Sequence, residues 1–174
     1  PFTLLVLAVA LLLAWEWGRV VRHAEADATL GVHMLAVAVA IVLTWQGLPG
    51  LAIIAAFIGT ILAGILSFTH SVRLSAIGVL YVALPAIALV WLRRDPSHGL
   101  AAIVMLYFCV WGTDTIAYFT GRLAGGPKLW PRVSPNKTWS GFIGGISASA
   151  LGGAIVALFV PGASVWRLAL IGLA

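Results

Sequence analysis

The run Gly112–Gly145, GTDTIAYFTGRLAGGPKLWPRVSPNKTWSGFIGG, sets one carboxylate, four cations and a group of glycines and prolines inside a chain that is otherwise mostly Leu, Ala, Val and Ile. An unpaired charge in an oily setting costs on the order of several kcal/mol, so an ionisable group placed there marks a candidate functional site. The surroundings are oily throughout. Of the 174 residues, 62% are hydrophobic and 9% charged, where a soluble domain carries about 25% charged residues. With a mean hydropathy of +1.10, the chain reads as an integral membrane protein. Its net charge of +5 is spread too thinly for nucleic acid. The cations stand between apolar runs, where they act as topology signals and contacts for anionic headgroups or phosphates.

A membrane-crossing helix needs about 20 predominantly apolar residues. Six segments meet that need, at 1–17, 30–48, 51–68, 74–92, 100–119 and 139–160, and a seventh begins at Val165. The predicted fold is therefore all-α and polytopic, with six transmembrane helices and a truncated seventh forming a single transmembrane domain over residues 1–174. Gly47-Leu48-Pro49-Gly50 joins the second and third segments tightly enough to make them an antiparallel hairpin. Trp15 and Trp17 fit an interfacial belt. The opening run lacks the basic start and small cleavage-site residues of a signal peptide. The chain opens on Pro1 and its last ten residues begin an apolar segment, so truncation at both ends is expected. Lys and Arg in alternate connections divide seven against three. The positive-inside rule then makes residues 120–138 a cytoplasmic basic loop, with Arg93 and Arg94 as exceptions.

On the fifth helix Trp111, Asp114, Tyr118 and Arg122 recur at helical spacing and form one polar stripe, which Gly121 and Gly125 are expected to continue. Asp114 is the last acidic residue of the chain. It reads either as a buried carboxylate bonded to a neighbouring helix or as a cation ligand in a polar cavity. Gly125, Gly126, Pro127 and Pro131 break the helix, leaving a loop with Lys128, Trp130 and Arg132. Ser134 followed by Pro135 predicts the next helix start, with serine as N-cap and proline at the first position. Lys137 and Thr138 would then lie in the first turn, where free N–H groups could cradle a phosphate. Alternatively, Lys137 only anchors the helix at the interface. The sixth helix carries Gly141, Gly145, Ser149 and Gly153 every fourth residue, a spacing that lets two helices approach closely in lipid. Glu16 and Arg19 are placed to pair along a helix. Cys109 reads as a packed thiol. The four histidines show no metal-ligand spacing and read as loop or interface residues.

The set Asp114, Ala117, Tyr118, Gly121, Arg122, Gly125, Lys128, Leu129, Pro131, Ser134, Pro135, Lys137, Thr138, Gly141, Gly144 and Gly145 resembles the phosphatidate cytidylyltransferases, also called CDP-diacylglycerol synthases. Trp15-Glu16-Trp17 and Gly78-Val79-Leu80-Tyr81 are similar to that family too. The family often has glutamate where this chain has Ser140, and its Asp-rich C-terminal signature, with the main metal ligands, would lie beyond Ala174. The resemblance implies condensation of CTP with phosphatidic acid, with Mg2+, in a bacterial-type inner membrane, and a homodimer is possible. On that reading Asp114 and Lys137 are catalytic, and Asp114 also serves as a metal ligand. Tyr118, Arg122, Lys128, Arg132, Ser134 and Thr138 bind substrate. The 174 residues alone are expected to be inactive. A CTP-dependent polyprenol or other lipid kinase, or a small-solute transporter, are the alternatives.

Overall fold

Backbone polar groups in hydrocarbon must be satisfied within the segment, which forces long apolar runs into helices. A computed structural model of the chain describes all residues except 24, 25, 68–70, 161–163 and 174, and the side chain of 173. The described residues form seven helices, six of them long and apolar enough to cross a membrane. The chain is a polytopic, predominantly α-helical membrane protein. It divides into two units, Pro1–Asp95 and Pro96–Ala174.

The first unit holds α1 (Phe2–Arg22), α2 (Ala28–Trp45), α3 (Pro49–Leu66) and α4 (Val72–Arg93). Arg19 and Arg22 lie in the last turn of α1, whose C-cap His23 is left-handed at φ 54°; cations there complement the negative end of the helix dipole. Arg22 turns back to hold Asp27, with Nε to Oδ2 at 2.7 Å and Nη2 to Oδ1 at 3.1 Å. Asp27 is also the N-cap of α2, accepting from Leu30 N at 2.6 Å. One carboxylate thus ends one helix and starts the next. The expected α2–α3 hairpin is present, and its turn needs a glycine because Gly47 has φ +91°.

Small residues let these helices meet. Ala10, Ala40, Ala52, Ala56 and Ala83 are buried together with Val37, Ile41, Val82 and Val90, while Leu4, Leu12, Ile58 and Ile61 face outward. Lipid tails solvate leucine as well as a core does, so close backbone approach drives the packing. The indole of Trp17 lies over Gly78, where any side chain would collide with the ring. Its Nε1 donates to Leu74 O at 2.9 Å, and its ring is 5.0 Å from that of Tyr81. The two segments with a family-like sequence at 15–17 and 78–81 therefore touch.

The second unit comprises α5 (Gly99–Leu123), β1 (Lys128–Trp130), β2 (Ser134–Thr138), α6 (Trp139–Leu158) and α7 (Val165–Leu173). β1 and β2 pair antiparallel, Lys128 with Thr138 and Trp130 with Ser134. Within an otherwise all-α chain, as expected, this short hairpin replaces the loop expected before Ser134. A backbone that leaves the helix at Gly125 still has N–H and C=O groups to satisfy, and cross-strand pairing satisfies them. The expected glycine face of α6 is present. A Cβ on Gly145 would lie 3.0 Å from Thr113 Cγ2 and 3.1 Å from Ala117 Cβ of α5. Gly153 meets the Leu168 backbone of α7, and Gly172 of α7 meets the backbone of Ser149.

Candidate functional site

Around the hairpin, the helix start falls four residues later than Ser134 and Pro135 suggested. α6 begins at Trp139, and its N-cap is Thr138, whose Oγ1 accepts from Gly141 N at 3.2 Å. Ser134 and Pro135 lie in β2 instead. Proline's fixed φ suits an edge strand as well as a first helical turn, so the Ser-Pro signal fits both. Threonine directly before the apolar run starting at Trp139 was the better cap signal.

That cap is locked to the end of α5. Gly121 was expected on the polar stripe but faces α6. A Cβ there would lie 2.9 Å from Thr138 Oγ1 and 3.4 Å from Gly141 Cα. Gly125 and Gly126 then turn the chain with φ of +59° and +102°. Ser140, where the resembled family often has glutamate, donates to the Gly125 carbonyl and shares a 3.0 Å hydrogen bond with Thr138. Trp139 N donates to Pro127 O at 3.1 Å. Two of the N–H groups that a helix start leaves without helical partners are therefore spent on seating the hairpin. The terminus is a mechanical joint more than an open phosphate cradle.

The stripe itself points away from α6. Trp111, Asp114, Tyr118 and Arg122 are all exposed on this unit. Asp114 is not the buried, helix-bonded carboxylate of the first alternative, because α6 packs on the Thr113, Ala117, Thr120 and Gly121 side of α5. Among the described residues Asp114 has no ion pair. Arg122 Nη1 donates to Tyr118 Oη at 2.6 Å, and its guanidinium carbon lies 5.8 Å from the Tyr118 ring centroid. A guanidinium so held keeps further N–H donors for an anion. Lys128, Arg132 and Lys137 are exposed on the hairpin, and Ser134 is half-buried. Thr138 is buried at 7% exposure. One carboxylate and four cations are thus exposed, three of the cations on a hairpin between two helices long and apolar enough to cross a membrane, and exposed cations there suit contact with phosphate groups.

Elsewhere Glu16 and Arg19 pair at 4.0 Å with both side chains exposed. Cys109 is half-buried, its Sγ 4.0 Å from Ser149 O. His23 and His98 are exposed, as expected of loop residues, and His70 lies outside the described residues. His33 is a correction: it is fully buried on α2. Its position follows the buried Thr29, Ala36 and Val37 face, a periodicity legible in sequence but overlooked for a histidine.

The chain matches the Cytidylyltransferase family over residues 1–174 and belongs to it. It is 48% identical over 98 residues to a phosphatidate cytidylyltransferase of Brucella suis, covering 56% of this chain and 36% of that one. It is 41% identical over 98 residues to the Staphylococcus epidermidis protein of that name, covering 56% and 38%. The Rickettsia bellii protein of that name is 39% identical over 95 residues, covering 53% and 40%. The chain thus spans about two-fifths of the length of the curated relatives it matches. No solved structure matches it.

Proposed function

We propose that this chain is part of an enzyme that condenses CTP with phosphatidic acid to give CDP-diacylglycerol and pyrophosphate. The observation that carries this reading is the basic hairpin that follows α5, the helix bearing Asp114, in a chain related to phosphatidate cytidylyltransferases. An oxygen of the lipid phosphate attacks the α-phosphorus of CTP. A new P–O bond forms there, and the bond to the bridging oxygen breaks to release pyrophosphate. Such a displacement needs positioning and charge neutralisation more than covalent help from the protein.

Lys128, Arg132 and Lys137, all exposed, supply positive charge from the hairpin. Arg122, steered by Tyr118, offers fixed donors on the α5 side. Ser134 is near enough in sequence to donate a hydroxyl hydrogen bond to the same phosphates. Thr138 acts as a positioning residue, because its hydroxyl holds the start of α6. Placing the hairpin at the cytoplasmic face of a bacterial inner membrane gives it access to CTP on one side and to lipid headgroups in the plane.

Magnesium usually takes one or two carboxylates plus substrate phosphates. Asp114 is exposed and without an ion pair among the described residues, which suits one such ligand. No group of three or more His, Cys, Asp or Glu that could hold a metal occurs among the described residues. Further ligands are therefore expected from the length of the relatives this chain does not span, and the 174 residues alone should not turn over CTP. When bound, the cation would offset charge gathering on the departing pyrophosphate.

The test is CTP-dependent turnover by the full-length enzyme carrying Lys137→Ala or Asp114→Asn. Each change is expected to lower turnover at least tenfold, the consequence of losing about 1.4 kcal/mol of transition-state stabilisation. Unchanged turnover in both would remove these residues from the reaction.

A further inference from the structure

Four buried side-chain polar atoms lack a hydrogen-bond partner among the described residues: Arg22 Nη1, His33 Nδ1, His33 Nε2 and Ser75 Oγ. They come from three elements that meet in the first unit. Arg22 ends α1, His33 lies near the start of α2, and Ser75 lies near the start of α4. A ring nitrogen of His33 approaches the Gly78 backbone without closing a hydrogen bond of good geometry, and the ring is within electrostatic reach of Arg22. Ser75 is one turn before Gly78 on α4, and both are buried. Arg22 in turn packs over Gly18, where a Cβ would lie 2.7 Å from its Nη2.

Each such orphan costs about 1–3 kcal/mol, and the three residues are 4%, 0% and 0% exposed, so bulk solvent cannot relieve them. Scattered orphans would each need a separate explanation. Orphans gathered at one helix junction need a shared partner. Nη1 only donates, a neutral imidazole donates once and accepts once, and a serine hydroxyl does both. The partner must therefore both accept and donate. Charge narrows it further. Asp27 already neutralises Arg22 through two hydrogen bonds, so an anion would leave net negative charge buried, and a metal cation would face the guanidinium. A small neutral molecule with both capacities fits, and a buried water meets two to four polar partners in this way.

We propose that the junction of α1, α2 and α4 is an internal hydration site, in which one or more water molecules bridge Arg22, His33 and Ser75. The water completes the clamp begun by the Arg22–Asp27 pair and by Trp17 on Leu74, and fixes the end of α1 against α2 and α4. The site is separate from the basic hairpin and does not depend on the proposed reaction.

Hydroxyl-radical labelling after brief X-ray radiolysis generates radicals from bound water inside the fold, so it reports waters next to buried side chains. Each residue's labelling rate in the detergent-solubilised chain would be divided by its rate in the unfolded chain. His33 is expected to be clearly less protected than Val37 and Ile41, which are equally buried on the same helix. Protection of His33 equal to or greater than theirs would overturn the proposal. A second measurement compares unfolding midpoints of two variants. His33→Gln keeps a donor and an acceptor for the water and should lose less than His33→Leu, which keeps neither. A leucine variant as stable as the glutamine variant, or more so, would also overturn it.

Discussion

Replacing Gly141 by alanine places one methyl group where α6 meets the end of α5. The added Cβ would lie 2.8 Å from the Ala117 carbonyl oxygen, 3.2 Å from Thr138 Oγ1 and 3.3 Å from Gly121 Cα. Two of these three neighbours are backbone, and the third is the cap hydroxyl, so none can rotate away without undoing a helix contact. Overpacking of this kind costs about 1–3 kcal/mol. Against it stands a gain of about 0.5–1 kcal/mol, because alanine is the better helix former. Gly31 supplies the control. It lies in α2 with nothing within 4 Å of the position its Cβ would take, so Gly31→Ala should show only the gain. Because the helix-forming gain is common to both variants and cancels, Gly141→Ala should be less stable than Gly31→Ala by the overpacking term alone, about 1–3 kcal/mol. Reversible unfolding in mixed micelles, followed by helical circular dichroism, reads that difference. Gly141→Ala matching Gly31→Ala in sign and size would refute the close α5–α6 approach, and with it the seating of the hairpin.

Further substitutions probe one joint in each unit. Thr138→Ala removes the cap on α6 and should cost about 0.5–2 kcal/mol in the same unfolding assay, whereas Thr138→Ser should retain most of it; equal losses would show that the hydroxyl is not the cap. Asp27→Asn keeps a capping oxygen for Leu30 but breaks the ion pair to an Arg22 side chain only 2% exposed. Leaving a buried charge uncompensated costs about 3–5 kcal/mol, while Glu16→Gln in the exposed pair should cost under about 1 kcal/mol. Comparable effects of the two would place Arg22 in solvent.

Much of the architecture was legible because lipid imposes a simple rule: backbone groups pair internally, and apolar runs of sufficient length become helices. The spans, the turn at Gly47 and the glycine face of α6 follow from local sequence alone. Boundaries shifted by a few residues, as α1 runs to Arg22 and α5 to Leu123, because helices continue through interfacial residues that hydropathy scores poorly. Within the candidate site the positions of the cations were plain, since charge in an oily chain identifies itself. Which face of α5 Gly121 occupies was not plain. Glycine has no side-chain chemistry to declare a partner, and only the approach of Gly141 and Thr138 settles it.

The sequence by itself determined that this is a polytopic helical membrane protein with a family-like basic segment between its fifth and sixth helices, because composition, periodicity and residue type are local properties. Tertiary structure alone decided three things. It made the basic segment a β-hairpin, turned Gly121 toward α6 and gathered Arg22, His33 and Ser75 at one junction. Each depends on which groups from separate elements meet, and those meetings exist only once the elements have packed.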